Sequence, residues 1–188
     1  SKVIENHIDI TTNKVLNSID YKGNKGDEYS TKQSSIEGYD IVVEKLPSNA
    51  QGIMTYEPIV VNYYYIKKVQ VVVEYLDKMT GAKLTQINEE TNAEIDSTEY
   101  INGHEGDQYK TIEKTFNNYI LKETTKNTQG IMTAIRNEDG IIQDTIYVKY
   151  YYAHKSAGVI EHHIDIETGE ELQDQVEYTG YEGDAYET

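Results

Sequence analysis

The sequence predicts small β-rich modules arranged in tandem, on the strength of two observations. A nine-residue motif, Gly-x-x-Gly-Asp-x-Tyr-x-Thr, occurs at residues 23–31, 103–111 and 180–188. Repeats spaced this far apart indicate successive modules, each folding around its own small core. The composition agrees, because 18 of the 19 aromatic residues are tyrosine, and Ile, Val and Thr together number 53. Side chains of these types fit the half-buried surface of a pleated sheet, so the modules should consist mainly of strands.

The net charge limits the partners that the chain can bind. The sequence holds 33 acidic and 17 basic residues, which gives a formal net charge of −16. Nucleic acids and anionic membranes attract positively charged surfaces, so we expect neither as a partner. No apolar run approaches the roughly 18 residues of a membrane-spanning helix, and we expect no direct membrane insertion. The chain begins at Ser1 without a signal-peptide pattern, so we expect a segment of a mature protein.

The first ten residues predict a half-buried strand, because apolar and polar side chains alternate along them. The residues expected to face the core are Ile4, Ile8 and Ile10. Those expected to face water are Glu5, His7 and Asp9. A His-x-Asp pair could form half of a metal site or a pH-responsive contact, but a solvated strand face is the favoured interpretation.

A tight turn follows the first strand of each module, with the pattern Asp-x-x-Thr-[Gly/Asn]-x-x-Leu. Its fifth position is occupied by Asn13, Gly81 and Gly169. Gly and Asn best tolerate the left-handed conformation of a tight hairpin, so each module should open with a β-hairpin. A variant of the pattern recurs at 88–95, which predicts either a longer sheet or a second hairpin. Asp139-Gly140 predicts a further hairpin between two apolar runs.

The two glycines of each nine-residue motif are predicted to form structural turns. Glycine adopts positive φ without steric cost, and two glycines three residues apart suit a backbone that must do so. The residues concerned are Gly23 and Gly26, Gly103 and Gly106, and Gly180 and Gly183.

A short amphipathic helix is predicted after the second copy of the motif. Tyr109, Ile112, Phe116 and Tyr119 follow the spacing of one face of a helix. The first module has a similar spacing of apolar residues, but Ser34-Ser35 and Gly38 lie among them. The helix is therefore predicted for the second module, and these serine and glycine residues disfavour it in the first.

Each of the first two modules ends in a tyrosine-rich strand, at residues 59–65 and 146–152. Side chains alternate between the two faces of a strand, so one face of each should be buried. The predicted core residues are Val61, Tyr63, Tyr65, Val148, Tyr150 and Tyr152. The wetter face carries Asn62, Tyr64, Lys149 and Tyr151, which are the predicted ligand-binding residues. Their tyrosine rings could stack on a sugar while the polar neighbours hydrogen-bond it, unless tyrosine serves here only as a strand former.

Together these motifs resemble the MucBP (mucin-binding protein) repeat of Gram-positive bacterial surface proteins. The resemblance rests on the Asp-x-x-Thr-Gly turn, the Gly-x-x-Gly-Asp-x-Tyr motif, Ile36-Glu37-Gly38-Tyr39, Asn49-Ala50-Gln51-Gly52 and a closing Val-x-Tyr-Tyr-Tyr. It implies a β-rich α+β fold of small β-grasp (ubiquitin-like) modules, arranged as an elongated rod. It also implies an extracellular location on a bacterial cell surface, within a wall-anchored parent protein, and binding to host mucin or another glycan.

The modules are predicted at residues 1–66, 67–154 and 155–188. The second is longer because of two hairpin insertions, and the third is incomplete because it lacks a closing tyrosine strand. A shifted division, with units at 32–111 and 112–188, is the alternative. About thirty residues without a disulfide rarely fold alone. We therefore expect the hairpin at 159–172 to be held by module two or, with some preference, by strand addition to another copy of the chain.

The sequence contains no catalytic pattern. It has no nucleophile elbow, phosphate-binding loop or zinc-protease motif, and we expect neither catalysis nor a cofactor. Residues 137–140 could ligate calcium, but they lack the spaced acidic ligands of a calcium loop, and a plain turn is favoured. Three functions remain open. The chain could be an adhesin segment that binds mucin or other glycans, a purely structural spacer, or a self-associating segment that acts through strand edges.

Overall fold

The computed structural model describes residues 1–140 and 142–188, which form a β-rich structure. The single helical element among these residues is a 3-10 turn at Val43–Lys45. The strands, in chain order, are β1 (Lys2–Asp9), β2 (Val15–Lys22), β3 (Glu28–Ser30), β4 (Tyr39–Ile41), β5 (Gln51–Ile53), β6 (Ile59–Asp77), β7 (Thr85–Ile87), β8 (Glu94–Asp96), β9 (Glu99–His104), β10 (Gln108–Lys110), β11 (Tyr119–Thr124), β12 (Gln129–Ile131), β13 (Ile135–Arg136), β14 (Ile142–Gln143), β15 (Thr145–His154), β16 (Ala157–Glu161) and β17 (Val176–Gly180). No helix in the described ranges is long and apolar enough to cross a membrane.

The chain divides into two compact units, each of which combines separate stretches of sequence. Unit 1 consists of Ser1–Gln70, Asn102–Gln108 and Ile131–Ile146. Unit 2 consists of Val71–Ile101, Tyr109–Gly130 and Tyr147–Thr188. Unit 1 therefore contains residues of both the first and the second predicted module.

The sheet of unit 1 is built around β1. This strand pairs antiparallel with β2 and parallel with β6, so that Glu5 lies opposite Val61 and His7 opposite Tyr63. Strand β4 also pairs with β6, in the antiparallel direction. The buried apolar core consists of Val3, Tyr39, Met54, Val61, Tyr63 and Tyr65. The predicted core face of the first tyrosine-rich strand is confirmed.

The predicted orientation of β1 is wrong. Its buried side chains are Val3, Glu5, His7 and Asp9, and the isoleucines at positions 4, 8 and 10 are only partly buried. Opposite residues of paired strands share a face of the sheet. Because the partners of Glu5 and His7 are the core residues Val61 and Tyr63, the closing strand decides which face of β1 is buried. This pairing outweighs the apolar character of the three isoleucines.

Unit 2 contains a sheet in which β15 lies between β11 and β6. Its core is largely aromatic. The rings of Tyr75 and Tyr150 stack with 5.3 Å between centroids, and Phe116 meets Tyr152 edge-on at 5.0 Å. Val148, Tyr150 and Tyr152 are all buried, which confirms the predicted core face of the second tyrosine-rich strand.

The helix predicted after the second motif is absent, so the helical part of the predicted fold class is wrong. Residues 111–116 have no regular structure, and Ile112 is 67% exposed. The hydroxyl of Tyr75 donates to the carbonyl of Ile112 at 2.9 Å, and that of Tyr152 donates to the carbonyl of Lys114 at 2.7 Å. A helix needs such carbonyls for its own hydrogen bonds. The core tyrosines take them instead.

The Asp-x-x-Thr turn has the same geometry in four places, if the copy that begins with Asn88 is included. The amide of its fifth residue donates to the carbonyl of the first at 2.8 Å in every copy. The fifth residues Asn13, Gly81, Asn92 and Gly169 have φ values of 57°, 72°, 53° and 74°. The copy at 88–95 forms a second hairpin, from β7 and β8. Strands β13 and β14 pair in a further hairpin, in which Gly140 has a φ of 79°.

Only the second glycine of each nine-residue motif has positive φ, at 97° for Gly26, 93° for Gly106 and 85° for Gly183. The expectation of positive φ is wrong for the first glycines, Gly23, Gly103 and Gly180. At Gly23 and Gly103 a glycine is required because a side chain would not fit. A Cβ at Gly23 would lie 2.8 Å from the sulfur of Met54, and one at Gly103 would lie 2.7 Å from the sulfur of Met132.

The third module packs within unit 2. Strand β16 pairs antiparallel with β17, and the hairpin predicted at 159–172 keeps one isolated bridge, between Ile164 and Glu171. The amide of Glu182 donates to the carbonyl of His154 at 3.0 Å. These contacts support attachment to module two, and strand addition to another chain stays a prediction.

Candidate functional site

Three titratable side chains lie in the interior of unit 1, in a row along β1. Glu5, His7 and Asp9 are 1%, 0% and 1% exposed. Such groups are rarely buried so completely unless each polar atom has a partner. In the described part of the chain, no buried side-chain nitrogen or oxygen lacks a hydrogen bond. The interpretation of this row as a solvated strand face is therefore wrong.

Glu5 and His7 form a hydrogen-bonded pair inside the sheet. Nε2 of His7 lies 2.8 Å from Oε1 of Glu5, and its Nδ1 lies 2.9 Å from the hydroxyl of Tyr65. The other oxygen of Glu5 accepts hydrogen bonds from the hydroxyl of Tyr21 at 3.0 Å and the amide of Lys32 at 3.2 Å. Burial and the nearby Glu5 carboxylate raise the pKa of Tyr21, so its hydroxyl keeps the proton that it donates.

Arg136, on the β13–β14 hairpin, closes over the carboxylates of Asp9 and Glu105. Its Nη2 lies 3.1 Å from Oδ2 of Asp9 and 2.6 Å from Oε2 of Glu105, while its Nη1 lies 2.7 Å from Oε1 of Glu105. Both carboxylates are almost fully buried, and the single positive charge of the guanidinium offsets part of their two negative charges. These three residues are termed the Arg136 clasp.

The clasp keeps both carboxylates ionised. Burial acts to raise the pKa of Asp9, but hydrogen bonds from the amides of Thr11 and Thr12 and the charge of Arg136 outweigh it. The pKa of Asp9 therefore lies below its ordinary value. Hydrogen bonds from Arg136 lower the pKa of Glu105 against the opposing effect of burial.

An open surface groove of about 560 Å³ lies on unit 1, and it is termed the Asp40 groove. Its polar lining residues include Asp40, Lys68, Gln70, Asn102, His104 and Asp144. The lining thus combines carboxylate, amide, imidazole and ammonium groups, which can donate and accept hydrogen bonds. No set of three or more His, Asp or Glu side chains in residues 1–140 and 142–188 is placed to hold a metal ion.

The polar side chains of the Asp40 groove hold one another in place. Nε2 of His104 lies 2.8 Å from Oδ2 of Asp40, and Nζ of Lys68 lies 2.9 Å from Oδ1 of the same carboxylate. These contacts lower the pKa of Asp40, chiefly through the hydrogen bond from His104. The side-chain amide of Gln70 donates to Oδ1 of Asn102 at 2.8 Å. Side chains positioned in this way lose little freedom when a ligand binds.

Comparison with known proteins identifies the family of this chain. The MucBP domain model matches residues 2–66 and 70–153. The chain belongs to the MucBP domain family. The match confirms the resemblance drawn from the turn, glycine and tyrosine-strand motifs.

Two relatives of this MucBP segment are Internalin J proteins of Listeria monocytogenes. The serotype 4b protein is 28% identical over 193 residues, which cover 99% of the chain and 19% of the relative. The serovar 1/2a protein is 32% identical over 137 residues, which cover 70% of the chain and 14% of the relative. The MucBP segment thus spans less than a fifth of the length of these curated relatives.

Solved structures similar to the MucBP segment include a repeat of a mucus-binding protein. The Type 2 repeat of the mucus binding protein MUB from Lactobacillus reuteri is 16% identical, with 80% of the chain and 98% of that structure covered and a TM-score of 0.26. Mub-RV is 10% identical, with coverage of 80% and 97% and a TM-score of 0.27. With scores this low, the family assignment rests on the MucBP match.

The four predicted ligand-binding residues of the MucBP segment fall into two patches. Asn62 and Tyr64 lie half-buried on β6 in unit 1, and Lys149 and Tyr151 lie half-buried on β15 in unit 2. The ammonium of Lys45 lies 5.7 Å from the centre of the Tyr64 ring. The structure therefore brings these residues together in pairs, one pair in each unit.

The Arg136 clasp and the Asp40 groove were missed because both combine residues that are far apart in sequence. One signal for the buried row on β1 was nevertheless present. Module two carries Val73 and Tyr75 at the positions that Glu5 and His7 occupy in module one. Apolar and aromatic residues at these positions mark that face of the strand as buried.

Proposed function

We propose that this MucBP segment works on the outer surface of a Gram-positive bacterium, as part of an adhesin that binds host mucin or other glycans. Family membership supports this class of function. The observation that carries the proposal is the Asp40 groove, an open cavity lined by hydrogen-bonding side chains. Its volume lies within the range of roughly 300–1,000 Å³ that is common for ligand sites.

The groove suits a ligand with many hydroxyl groups. The carboxylate of Asp40 accepts hydrogen bonds, His104 can donate or accept, and the amides of Gln70 and Asn102 do both. Their mutual contacts fix these groups before a ligand arrives, which lowers the entropic cost of binding. Sugar hydroxyls, each both donor and acceptor, complement such a surface.

The charge of the chain favours uncharged sugars. The formal net charge is −16, and Asp40 and Asp144 add carboxylates to the groove itself. A sialylated or sulfated glycan would approach this field against electrostatic repulsion. We therefore propose neutral mucin-type oligosaccharides as the preferred ligands.

Binding of the 188-residue chain to immobilised mucin, before and after enzymatic removal of sialic acid and sulfate, tests the proposal. We expect the treated mucin to bind more tightly, and Gln70→Ala and Asn102→Ala each to weaken binding about tenfold, since each removes a placed hydrogen-bonding group. Gln175→Ala, on an exposed amide in unit 2, is the matched control and should bind as the parent does.

The other outcomes separate the alternatives. If Tyr64→Ala or Tyr151→Ala abolishes binding while the groove variants do not, the site lies on one of the two tyrosine patches. If no form of mucin binds, the structural spacer becomes the better interpretation. A concentration-dependent mass in light scattering would favour self-association through strand edges.

We also propose that the predicted modules at 1–66, 67–154 and 155–188 are small β-grasp-type units in an elongated rod, carried by a wall-anchored parent protein. The parallel pairing of β1 with β6 supports this type of sheet. The role of the rod is binding and presentation, without catalysis. Small-angle scattering of the 188-residue chain should give an elongated profile, and a globular one would contradict the arrangement.

A further inference from the structure

Tyr65 has three hydrogen-bond partners and a single hydroxyl proton. Its oxygen lies 3.0 Å from the amide nitrogen of Ser34, 2.8 Å from the carbonyl oxygen of Ser34 and 2.9 Å from Nδ1 of His7. The amide can only donate a hydrogen bond, and the carbonyl can only accept one. The hydroxyl proton must therefore point at the carbonyl, because otherwise lone pairs of two oxygens would face each other.

Unit 2 contains the same arrangement without a histidine. The hydroxyl of Tyr152 accepts from the amide of Lys114 at 3.2 Å and donates to the carbonyl of Lys114 at 2.7 Å. Ser34 and Lys114 stand at the same distance along the chain from the second glycine of their motifs, so the two sites are equivalent. Donation from the closing-strand tyrosine to this carbonyl is thus a property of the repeat, independent of His7.

His7 must then supply the proton of its own bond to Tyr65, so Nδ1 carries a hydrogen. Its other nitrogen, Nε2, faces Oε1 of Glu5 at 2.8 Å, a contact that also needs a proton. The second oxygen of Glu5 accepts two further hydrogen bonds, as expected of a charged carboxylate. We propose that His7 is an imidazolium, protonated on both ring nitrogens, in a buried ion pair with Glu5.

The surroundings of His7 suit a buried cation. The ring of Tyr63 stacks on the imidazole with 5.5 Å between centroids and 14° between planes, within the roughly 6 Å range of a cation–π contact. The titratable groups that face His7 or share its buried face include Glu5 and Asp9 of β1, Tyr21 of β2, Tyr39 of β4, and Tyr63, Tyr65 and Lys67 of β6. Asp9 is held by Arg136 and by the amides of Thr11 and Thr12, so Glu5 is the carboxylate that pairs with His7.

This ion pair makes the stability of unit 1 depend on pH. A histidine in an unfolded chain loses its second ring proton above about pH 6.5. If folded His7 keeps that proton, folding takes up a proton near neutral pH. Tyr75 replaces this histidine in module two, so the equivalent position there adds no such dependence.

Nitrogen NMR of the 188-residue chain labelled at its five histidines tests the proposal. At about pH 7.5, where an unfolded histidine is mostly neutral, both ring nitrogens of His7 should give protonated-type signals. The His7 signals are assigned through bonds from the backbone and by their loss in His7→Gln. A single unprotonated nitrogen in the His7 ring would overturn the proposal.

Two matched variants test the part played by the tyrosine hydroxyl. Tyr65→Phe removes the acceptor of the Nδ1 proton, so Nδ1 of His7 should then lose its protonated-type signal at about pH 7.5. Tyr152→Phe makes the same change in unit 2 and should leave the His7 signals unmoved. Identical ring-nitrogen signals of His7 in the parent and in Tyr65→Phe would overturn the assigned contact. If Tyr65→Phe fails to fold, the nitrogen spectrum of the parent decides alone.

Discussion

His7 in unit 1 and Tyr75 in unit 2 hold the same place in their repeats, two residues before the turn aspartate. Both side chains are fully buried. Each ring stacks on a tyrosine of its closing strand, His7 on Tyr63 at 5.5 Å and Tyr75 on Tyr150 at 5.3 Å. The two modules therefore share the shape of the core but differ in how its polar groups are satisfied.

The difference lies in the partners of the two rings. His7 pairs with the carboxylate of Glu5, whereas module two has Val73 at that position. The hydroxyl of Tyr75 instead lies 2.9 Å from the carbonyl of Ile112 and 3.3 Å from Oε2 of Glu99, a carboxylate that Lys114 pairs with, so the neutral tyrosine needs no counter-charge of its own. The repeat thus fills the same site either with an ion pair or with a neutral tyrosine. Only the ion pair includes a buried carboxylate that would lose its partner if the histidine were replaced.

A second copy of the ionic set occurs in module three. His163 hydrogen-bonds Glu161, and the hydroxyl of Tyr178 donates to the other oxygen of Glu161 at 2.8 Å, as Tyr21 does to Glu5. The side chain of His163 is 43% exposed, however, against 0% for His7. The bonds therefore form within the opening strands, and burial of the set requires the closing tyrosine strand.

The largest effect should come from breaking the Arg136 clasp, which distinguishes Asp9 from its counterpart Asp77. Both aspartates accept hydrogen bonds from the amides of their turn, but Asp9 adds the guanidinium. Arg136→Gln leaves two buried carboxylates without their charge partner and should lower the free energy of unfolding of unit 1 by about 3–5 kcal/mol.

Urea unfolding followed by hydrogen exchange in β1 and in β15 measures the two units separately. Lys149→Gln removes a half-exposed ion pair with Glu74 in unit 2 and should cost no more than about 1 kcal/mol. Equal losses of unfolding free energy from Arg136→Gln and Lys149→Gln would show that the Arg136 clasp stabilises its unit no more than a half-exposed ion pair does.

The same clasp should make unit 1 sensitive to acid. The pKa values of Asp9 and Glu105 are lowered in the folded chain, so their contribution is present above their unfolded values of about 3.9 and 4.3. This stabilisation is lost as the pH falls through the lowered pKa values of Asp9 and Glu105 in the folded chain. Unfolding free energies between about pH 5 and pH 2 should fall more steeply for the parent than for Arg136→Gln. Parallel curves would contradict the assignment.

A smaller effect is expected from replacing the His7–Glu5 ion pair by the neutral residues of module two. His7→Phe leaves Glu5 with its two other donors and should destabilise unit 1 by about 2–3 kcal/mol. The double variant Glu5→Val with His7→Tyr reproduces module two and should return to within about 1 kcal/mol of the parent, because a well-packed apolar pair can replace a buried ion pair. If urea unfolding shows that the losses of stability from Glu5→Val and His7→Tyr simply add up in the double variant, the ion pair and the neutral pair are not interchangeable.

The local chemistry of the repeat was predictable from the sequence, whereas the contacts between distant stretches were not. The turn at Asn13 and the alternation of the closing strands depend on neighbours only a few residues away. The burial of Glu5 and His7 depends on pairing with a strand more than fifty residues later, and Arg136 reaches Asp9 from a hairpin further on still. The predicted helix failed for the same reason, because hydroxyls of distant core tyrosines capture its carbonyls.

The smallest of these effects concerns the turns, where the modules are most alike. Gly81 has a φ of 72° and no atom within 4 Å of where a Cβ would stand, so a substitution there changes backbone strain alone. Gly81→Val should destabilise unit 2 by roughly 1–3 kcal/mol, because a β-branched residue resists the left-handed conformation. Gly81→Asn should be nearly neutral, since Asn13 adopts a φ of 57° at the equivalent position of module one. Thermal melts of both variants beside the parent measure the difference. If valine and asparagine melt together with the parent, the left-handed turn is not what selects Gly or Asn at this position.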